Sequence, residues 1–166
     1  MARDNEEFTM IFNAHYRGLC RFLECLMGGR REAAQEIAQE SFLRLYGMDS
    51  DILSAAEARF WLYRVARNLA LNELSQTRTR HNLLGRVSEA LRRRDIGPAE
   101  DLEQRERCQL VLRLLKSLPE HQRAALILRE QDEMSYREIA EVLGVTEGKV
   151  KVDIFRARQA LRALSL

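Results

Sequence analysis

Ser135-Tyr136-Arg137-Glu138-Ile139-Ala140-Glu141-Val142-Leu143-Gly144-Val145-Thr146-Glu147-Gly148-Lys149-Val150 carries the sharpest local signal in this chain. Ser135 and Glu138 have capping-box spacing: the Ser oxygen accepts the amide of the third helical residue, and the Glu carboxylate reaches back to the Ser amide. Ile139, Ala140, Val142 and Leu143 give the short helix that follows an inner face. Gly144 suits the left-handed residue that ends it, and Thr146 suits the N-cap of the next helix. Ala140 is small where two helices must cross, and Val150 falls on the inner side of the second one. Together these spacings predict a helix-turn-helix.

Along the last helix, about 100° per residue places Val150, Ile154, Ala157 and Leu161 on one buried stripe. Lys149, Val152, Asp153 and Arg156 are read as facing away from it, with Lys151, Phe155 and Arg158 on a flank. Such a helix suits the DNA major groove, where side chains meet base edges and flanking cations meet phosphates. Asp153 on that face is a counter-signal, since it repels phosphate while still being able to accept from cytosine. A helical hairpin whose charges merely solvate it shares the cations but has no need of the turn and both caps.

Outward from this motif the chain reads as helix. It has 166 residues, 46% hydrophobic and 31% charged, with two prolines and eight glycines. Helix-favouring residues dominate, so the expected class is all-α, with two small helical domains joined by a linker. Phe8, Ile11, Phe12, Leu19, Phe22, Leu23 and Leu26 form a helical stripe ended by Gly28-Gly29. A second helix is expected from about Glu32 to Tyr46, with Ala34, Ile37, Ala38, Ser41 and Leu45 on one face. After a polar loop at 47–54, a third runs from about Ala55 to Arg78. These give a first domain at 5–81. The pattern weakens across 82–103, where Arg92-Arg93-Arg94 and Gly97-Pro98 suggest a linker with some helix. The second domain is 104–166, with Pro119 expected at the first position of a helix.

The net charge of +2 hides an uneven distribution. Arg59, Arg64, Arg67, Arg78 and Arg80 share their stretch with one acid, Glu73. Lys149, Lys151, Arg156, Arg158 and Arg162 share theirs with Asp153. Two basic stretches in a near-neutral chain suit two phosphate patches, or two solvated helix faces. No apolar run approaches the roughly 20 residues of a membrane span, and the start of the chain is polar and mixed in charge. Three cysteines without framework spacing agree with a reducing compartment, so a cytoplasmic location is expected.

In order, the motifs resemble those of extracytoplasmic-function sigma factors of bacterial RNA polymerase. Glu36-Ile37-Ala38-Gln39-Glu40-Ser41-Phe42-Leu43-Arg44-Leu45 is similar to the polymerase-binding helix of region 2. Trp61-Leu62-Tyr63-Arg64-Val65-Ala66-Arg67-Asn68-Leu69-Ala70 is similar to the promoter-melting helix. Leu118-Pro119 through Arg123, Ser135 to Ala140, and Phe155-Arg156-Ala157-Arg158 resemble region 4. The resemblance implies that Glu36, Gln39, Glu40 and Leu43 face core polymerase, a face otherwise readable as ordinary helix surface. Arg64, Asn68 and Asn72, four apart, meet the minus-ten strand. Arg67, Arg78 and Arg80 neutralise its phosphates, and loop 47–54 receives a flipped base. Trp61 is either a stacking platform or a core residue, the latter being the commoner case.

The resemblance assigns the minus-thirty-five element to Arg129, Lys149, Lys151, Val152, Phe155, Arg156 and Arg158. Lys149, Val152 and Asp153 depart from the common threonine, serine and arginine, and Glu36 and Asn72 stand where aspartates are common. Implied partners are core polymerase, promoter DNA and an anti-sigma factor. Neither an acidic N-terminal extension nor a C-terminal sensory domain is expected, so control is expected from outside. Neither enzyme nor cofactor is expected: His15, His81 and His121 lie far apart, with no nucleophile–base pair nearby, and His15, Cys20 and Cys25 scatter around one helix. An operator-binding regulator acting without polymerase is the alternative, but the first domain shows neither an effector pocket nor a dimerisation heptad. A purely structural helical adaptor leaves the paired basic stretches unexplained.

Overall fold

Leu19, Phe22, Leu23 and Leu26 are fully buried along α1 (Asn5–Leu26), which stops where Gly28 and Gly29 take φ of 71° and 93°. Both angles belong to the left-handed region that glycine enters without a Cβ penalty. The computed structural model describes residues 3–84 and 102–164, and of residues 78–84 the backbone alone. Seven helices lie among the described residues.

α2 (Arg31–Tyr46) buries Ala34, Ala38, Ser41, Phe42 and Leu45 against α1 and α3. The expected face holds, with Ile37 at its half-buried edge and Phe42 added. Phe42 joins an aromatic cluster that ties α2 to α1. Its ring centroid lies 5.0 Å from Phe12, which stacks at 4.6 Å on Tyr16, while Phe8 meets Tyr46 edge-on at 5.1 Å. α3 (Ala55–Leu84) starts at a second capping box, with Ser54 Oγ accepting from Glu57 N and Glu57 Oε2 accepting from Ser54 N. It continues past the expected end at Arg78, so the first residues assigned to the linker belong to this helix. Alanines 58, 66 and 70 are buried along it, and such small side chains let helices pack closely.

Of the rest of the expected linker, residues 85–101, including Arg92–Arg94 and Gly97-Pro98, lie outside the described residues, and Leu102 and Glu103 open the next helix. α4 (Leu102–Lys116) and α5 (Glu120–Glu130) come next. Pro119 sits at the N-cap of α5, one position before the place expected for it. Its fixed φ and missing N–H suit either position. α6 (Tyr136–Leu143) and α7 (Glu147–Leu164) form the helix-turn-helix. Both bonds of the Ser135–Glu138 capping box are made, and Gly144 adopts φ 67°. Lys149 N donates to Thr146 Oγ1 at 3.1 Å, making Thr146 the cap of α7.

The apolar interior does not stop between the first three helices and the last four. Phe22, Leu26 and Leu62 belong to the same buried cluster as Leu115, Leu128, Met134 and Ile139. α1 packs on α4 and α5, and α3 packs on α6. A small helical unit has a thin core of its own, and this shared interior thickens both.

Candidate DNA and polymerase interfaces

Val150, Ile154 and Ala157 are buried and Leu161 half-buried, as the α7 stripe requires. The opposite side presents Val152, Phe155 (62% exposed) and Arg156. A groove lined by Tyr136, Lys151, Ile154, Phe155, Arg158, Gln159 and Arg162 runs along the flank. Its cations are held in place: Arg158 pairs with Glu130, and Lys151 Nζ lies 5.7 Å from the centre of the Tyr136 ring.

Arg129 points elsewhere. Half-buried, it donates from Nη1 to Met134 O at 2.9 Å and lies 4.6 Å over the Tyr136 ring, bracing the loop that enters α6. Tyr136, which no spacing rule singled out, is the ring that collects both cations.

Asp153 corrects the reading of α7. It is 1% exposed rather than groove-facing, and its two oxygens accept from Lys149 Nζ at 2.8 and 3.0 Å. On the helical wheel residue 153 lies about 60° from Val150, at the edge of the buried stripe. α5 and α6 both pack on α7, and periodicity alone does not say how far a helix is covered. Lys149 is therefore the counter-ion of a buried carboxylate.

On the first three helices, Glu36, Gln39, Glu40 and Leu43 are all exposed, Leu43 by 67%. Glu36 and Glu40 line a groove between α2 and α3 with Ile37, Leu69, Asn72, Glu73 and Gln76, and Arg44 Nε donates to Glu40 at 2.9 Å. Three carboxylates bordered by amides make this groove suited to a basic partner. Met10 and Ile52 are also strongly exposed. Loop 47–54 is fixed at its end by Arg3, whose Nη2 donates to Leu53 O at 2.6 Å.

Asn68 and Asn72 are exposed on α3, while Trp61 is half-buried and packs against the core. Of Arg78 and Arg80 the structure gives only the helix that carries them. The arginines closer to the core are taken up by the last four helices. Arg67 Nε and Nη2 donate to the two oxygens of Glu120 at 2.8 and 2.7 Å. Arg64 donates through Nε and Nη2 to Glu141 O. Arg59 donates to Asp132 O at 2.9 Å, and Tyr63 OH to Asp132 Oδ1 at 2.8 Å. From the other side, Arg123 donates to Leu26 O at 2.7 Å.

The pairings of Glu120, Arg123 and Asp132 carried no signal in the sequence, because the partners lie 53 to 97 residues away. Burial pushes the Asp132 carboxyl above its ordinary range, against the opposing effect of the Tyr63 hydroxyl. Its Oδ2 is buried without a hydrogen-bond partner. Burial also raises the Cys25 thiol to about 11 and, ahead of the Arg59 charge, lowers His15. Among the described residues no group of His, Cys, Asp and Glu is placed to hold a metal ion, and no helix is long and apolar enough to cross a membrane.

A helix-turn-helix at one end, joined to a helical unit with its own basic helix and acidic groove, defines a two-part DNA-binding protein of transcription. Comparison with known proteins makes the class specific. Residues 11–80 match the family model of Sigma-70 region 2, and residues 108–161 that of Sigma-70, region 4. The chain is 30% identical over 166 residues to the ECF RNA polymerase sigma-E factor of Haemophilus influenzae, covering 95% of this chain and 87% of that one. To the sigma-E factor of Escherichia coli K12 it is 34% identical over 134 residues, covering 76% and 70%.

Two solved structures share the fold. The sigma factor RpoE in complex with the anti-sigma factor NepR from Bartonella quintana has a TM-score of 0.70 at 23% identity, covering 96% of each chain. CnrH in complex with the cytosolic domain of CnrY has a TM-score of 0.67 at 22% identity, covering 97% of this chain and 88% of that one. The chain belongs to the ECF family of RNA polymerase sigma factors. Its function is that family's: directing polymerase to promoters and initiating DNA-templated transcription.

Proposed function

We propose a division of labour in which residues 5–81 bind core polymerase and open the minus-ten element, while residues 104–166 read the minus-thirty-five duplex. The observation that carries this reading is the outward face of α7: Val152, Phe155 and Arg156 point into solvent beside a cation-lined groove, on a helix whose other side is anchored in the core. A capped, rigid helix presented this way is what base-edge readout requires. Lys151 and Arg158 flank it as phosphate contacts, and Lys149 lies at its N-terminal edge.

The groove of Glu36 and Glu40, with Gln39 and the exposed Leu43 beside it, takes a basic, partly apolar surface of core polymerase. Asn68 and Asn72 offer amide hydrogen bonds to unstacked bases. Arg64 lies on the same face and meets the strand with them, Arg67, Arg78 and Arg80 supply the phosphate contacts there, and loop 47–54 receives the extruded base. The protein acts in the cytoplasm, contributes no catalytic group of its own, and is restrained by an anti-sigma factor, a reading supported by the sigma factor RpoE, which shares the fold and is in complex with the anti-sigma factor NepR. That partner covers the same two faces.

Substitution tests the division. Asn68→Ala is expected to leave core binding unchanged while open-complex formation falls, followed with a fluorescent base analogue in the minus-ten strand. Arg156→Ala is expected to cost about 1–3 kcal/mol of duplex recognition and to relax specificity at one base pair. Loss of core binding by a folded Asn68→Ala protein would overturn the assignment.

A further inference from the structure

Arg3 precedes α1 and is buried, only 2% of the residue being exposed. A buried guanidinium is costly unless its donors are met. Nη2 donates to the Leu53 carbonyl at 2.6 Å, across 50 residues of chain, and Nη1 to Glu7 Oε1 at 3.0 Å. Nε has no hydrogen-bond partner among the described residues. An apolar side chain would fill this place without that cost, so the particular contribution of the guanidinium is to fix Leu53. Leu53 closes loop 47–54, and Ser54 after it is fixed by its capping box with Glu57. The entrance to the loop is held by the same stretch of chain. Tyr46 OH donates to Asn5 Oδ1 at 3.2 Å, and the Phe8 ring meets Tyr46 edge-on. Between these attachments the loop makes a turn of its own, in which Asp51 N donates to Asp49 Oδ1 and Ile52 N to Asp49 O.

We infer that Arg3 is a positioning residue for minus-ten recognition: through the Leu53 carbonyl it sets the shape of loop 47–54 before DNA arrives. The inference rests on the assignment of that loop to the extruded base. An unpinned loop must be ordered as the base enters, and the backbone freedom it loses subtracts from affinity. A loop pinned at both ends has met that cost on folding. The Arg3 charge also reaches the loop, helping the Asp51 amide, the larger influence, to hold the Asp49 carboxyl below its ordinary range. Arg3 itself is covered and acts through the loop alone.

The test uses the full chain assembled with core polymerase and a labelled single strand carrying the minus-ten element mapped by run-off transcription. In a series of such strands, one base at a time is replaced by an abasic site. Where a base is captured, its removal costs about tenfold in affinity, and less at the neighbouring positions. Arg3→Met fills the same space without a donor, a kind of replacement that buried ions often tolerate. Arg3→Lys restores a donor. Arg107→Gln, on an exposed α4 side chain paired with Glu103, loses the same charge far from the loop in sequence.

Arg3→Met is expected to keep its core affinity while the penalty at the captured position shrinks to that of its neighbours, because ordering even one loop residue costs as much as that contact gives. Arg3→Lys recovers part of the penalty, and Arg107→Gln keeps all of it. Arg3→Gln, polar but shorter, is read in the same way as Arg3→Met and serves if the latter melts early. A folded Arg3 variant without a donor that retains the full penalty, including one whose affinity falls equally for every strand, would overturn the inference. A wild-type holoenzyme with no position of raised penalty would remove the loop assignment, and the inference with it, so the two failures are told apart.

Discussion

Lys149 and Asp153 show most directly how a residue's role depends on what covers it. Composition makes Lys149 a phosphate-binding cation and Asp153 an acid that repels DNA, yet the structure joins them as a buried carboxylate with its counter-ion. Removing one partner of such a pair leaves a buried charge unpaired, which costs about 1–3 kcal/mol or more. Lys149→Ala is accordingly expected to lower the unfolding free energy by at least that lower bound in denaturant titration, whereas ordinary surface substitutions fall within about 0.5 kcal/mol. Stability equal to wild type would mean that Asp153 is served by another group. Arg129 repeats the lesson, its guanidinium closing the turn into α6 rather than lying in the groove. Neither role was legible in the sequence, because a periodic pattern gives the centre of a buried stripe but not its width.

Helices and their ends were the most legible level, since each signal is complete within a few residues. Ser135 with Glu138, Gly144 and Thr146 all take the roles their spacing implies. Ser135→Ala is expected to cost about 1 kcal/mol, read from thermal or denaturant unfolding of the full chain. Gly144→Ala meets no neighbour within 4 Å, so its cost is that of the backbone alone, about 1–2 kcal/mol for a left-handed φ. A Gly144→Asn variant should recover part of that loss, because Asn tolerates the region better. The α3 start at Ser54-Ala55-Ala56-Glu57 has the same capping-box spacing and was equally readable. α3 outran its expected end because no glycine or proline interrupts it between Ala55 and Leu84.

Across the whole molecule, what the sequence could not reveal is how the two halves meet. The joining pairs, Arg67 with Glu120, Tyr63 with Asp132 and Arg123 with the Leu26 carbonyl, are far apart in the chain and follow no local period. Asp132 gives this junction a pH dependence. Its carboxyl, raised by burial, binds a proton more readily in the packed molecule than in the unfolded chain, so stability is lost as pH rises through the carboxylate range. Asp132→Asn keeps an acceptor for Tyr63 and removes the charge. Its stability relative to wild type should therefore rise as pH increases from the ordinary aspartate range towards neutrality, and an unchanging difference would show that Asp132 does not titrate differently on packing. Above these details stands the sigma function itself. The most direct measurement is run-off transcription with purified core polymerase on the promoter upstream of the chain's own gene, with and without the protein. A discrete transcript that appears only with the protein is the predicted result; no transcript across a promoter screen, together with tight unaided binding to duplex DNA, would contradict it and favour an operator-binding regulator.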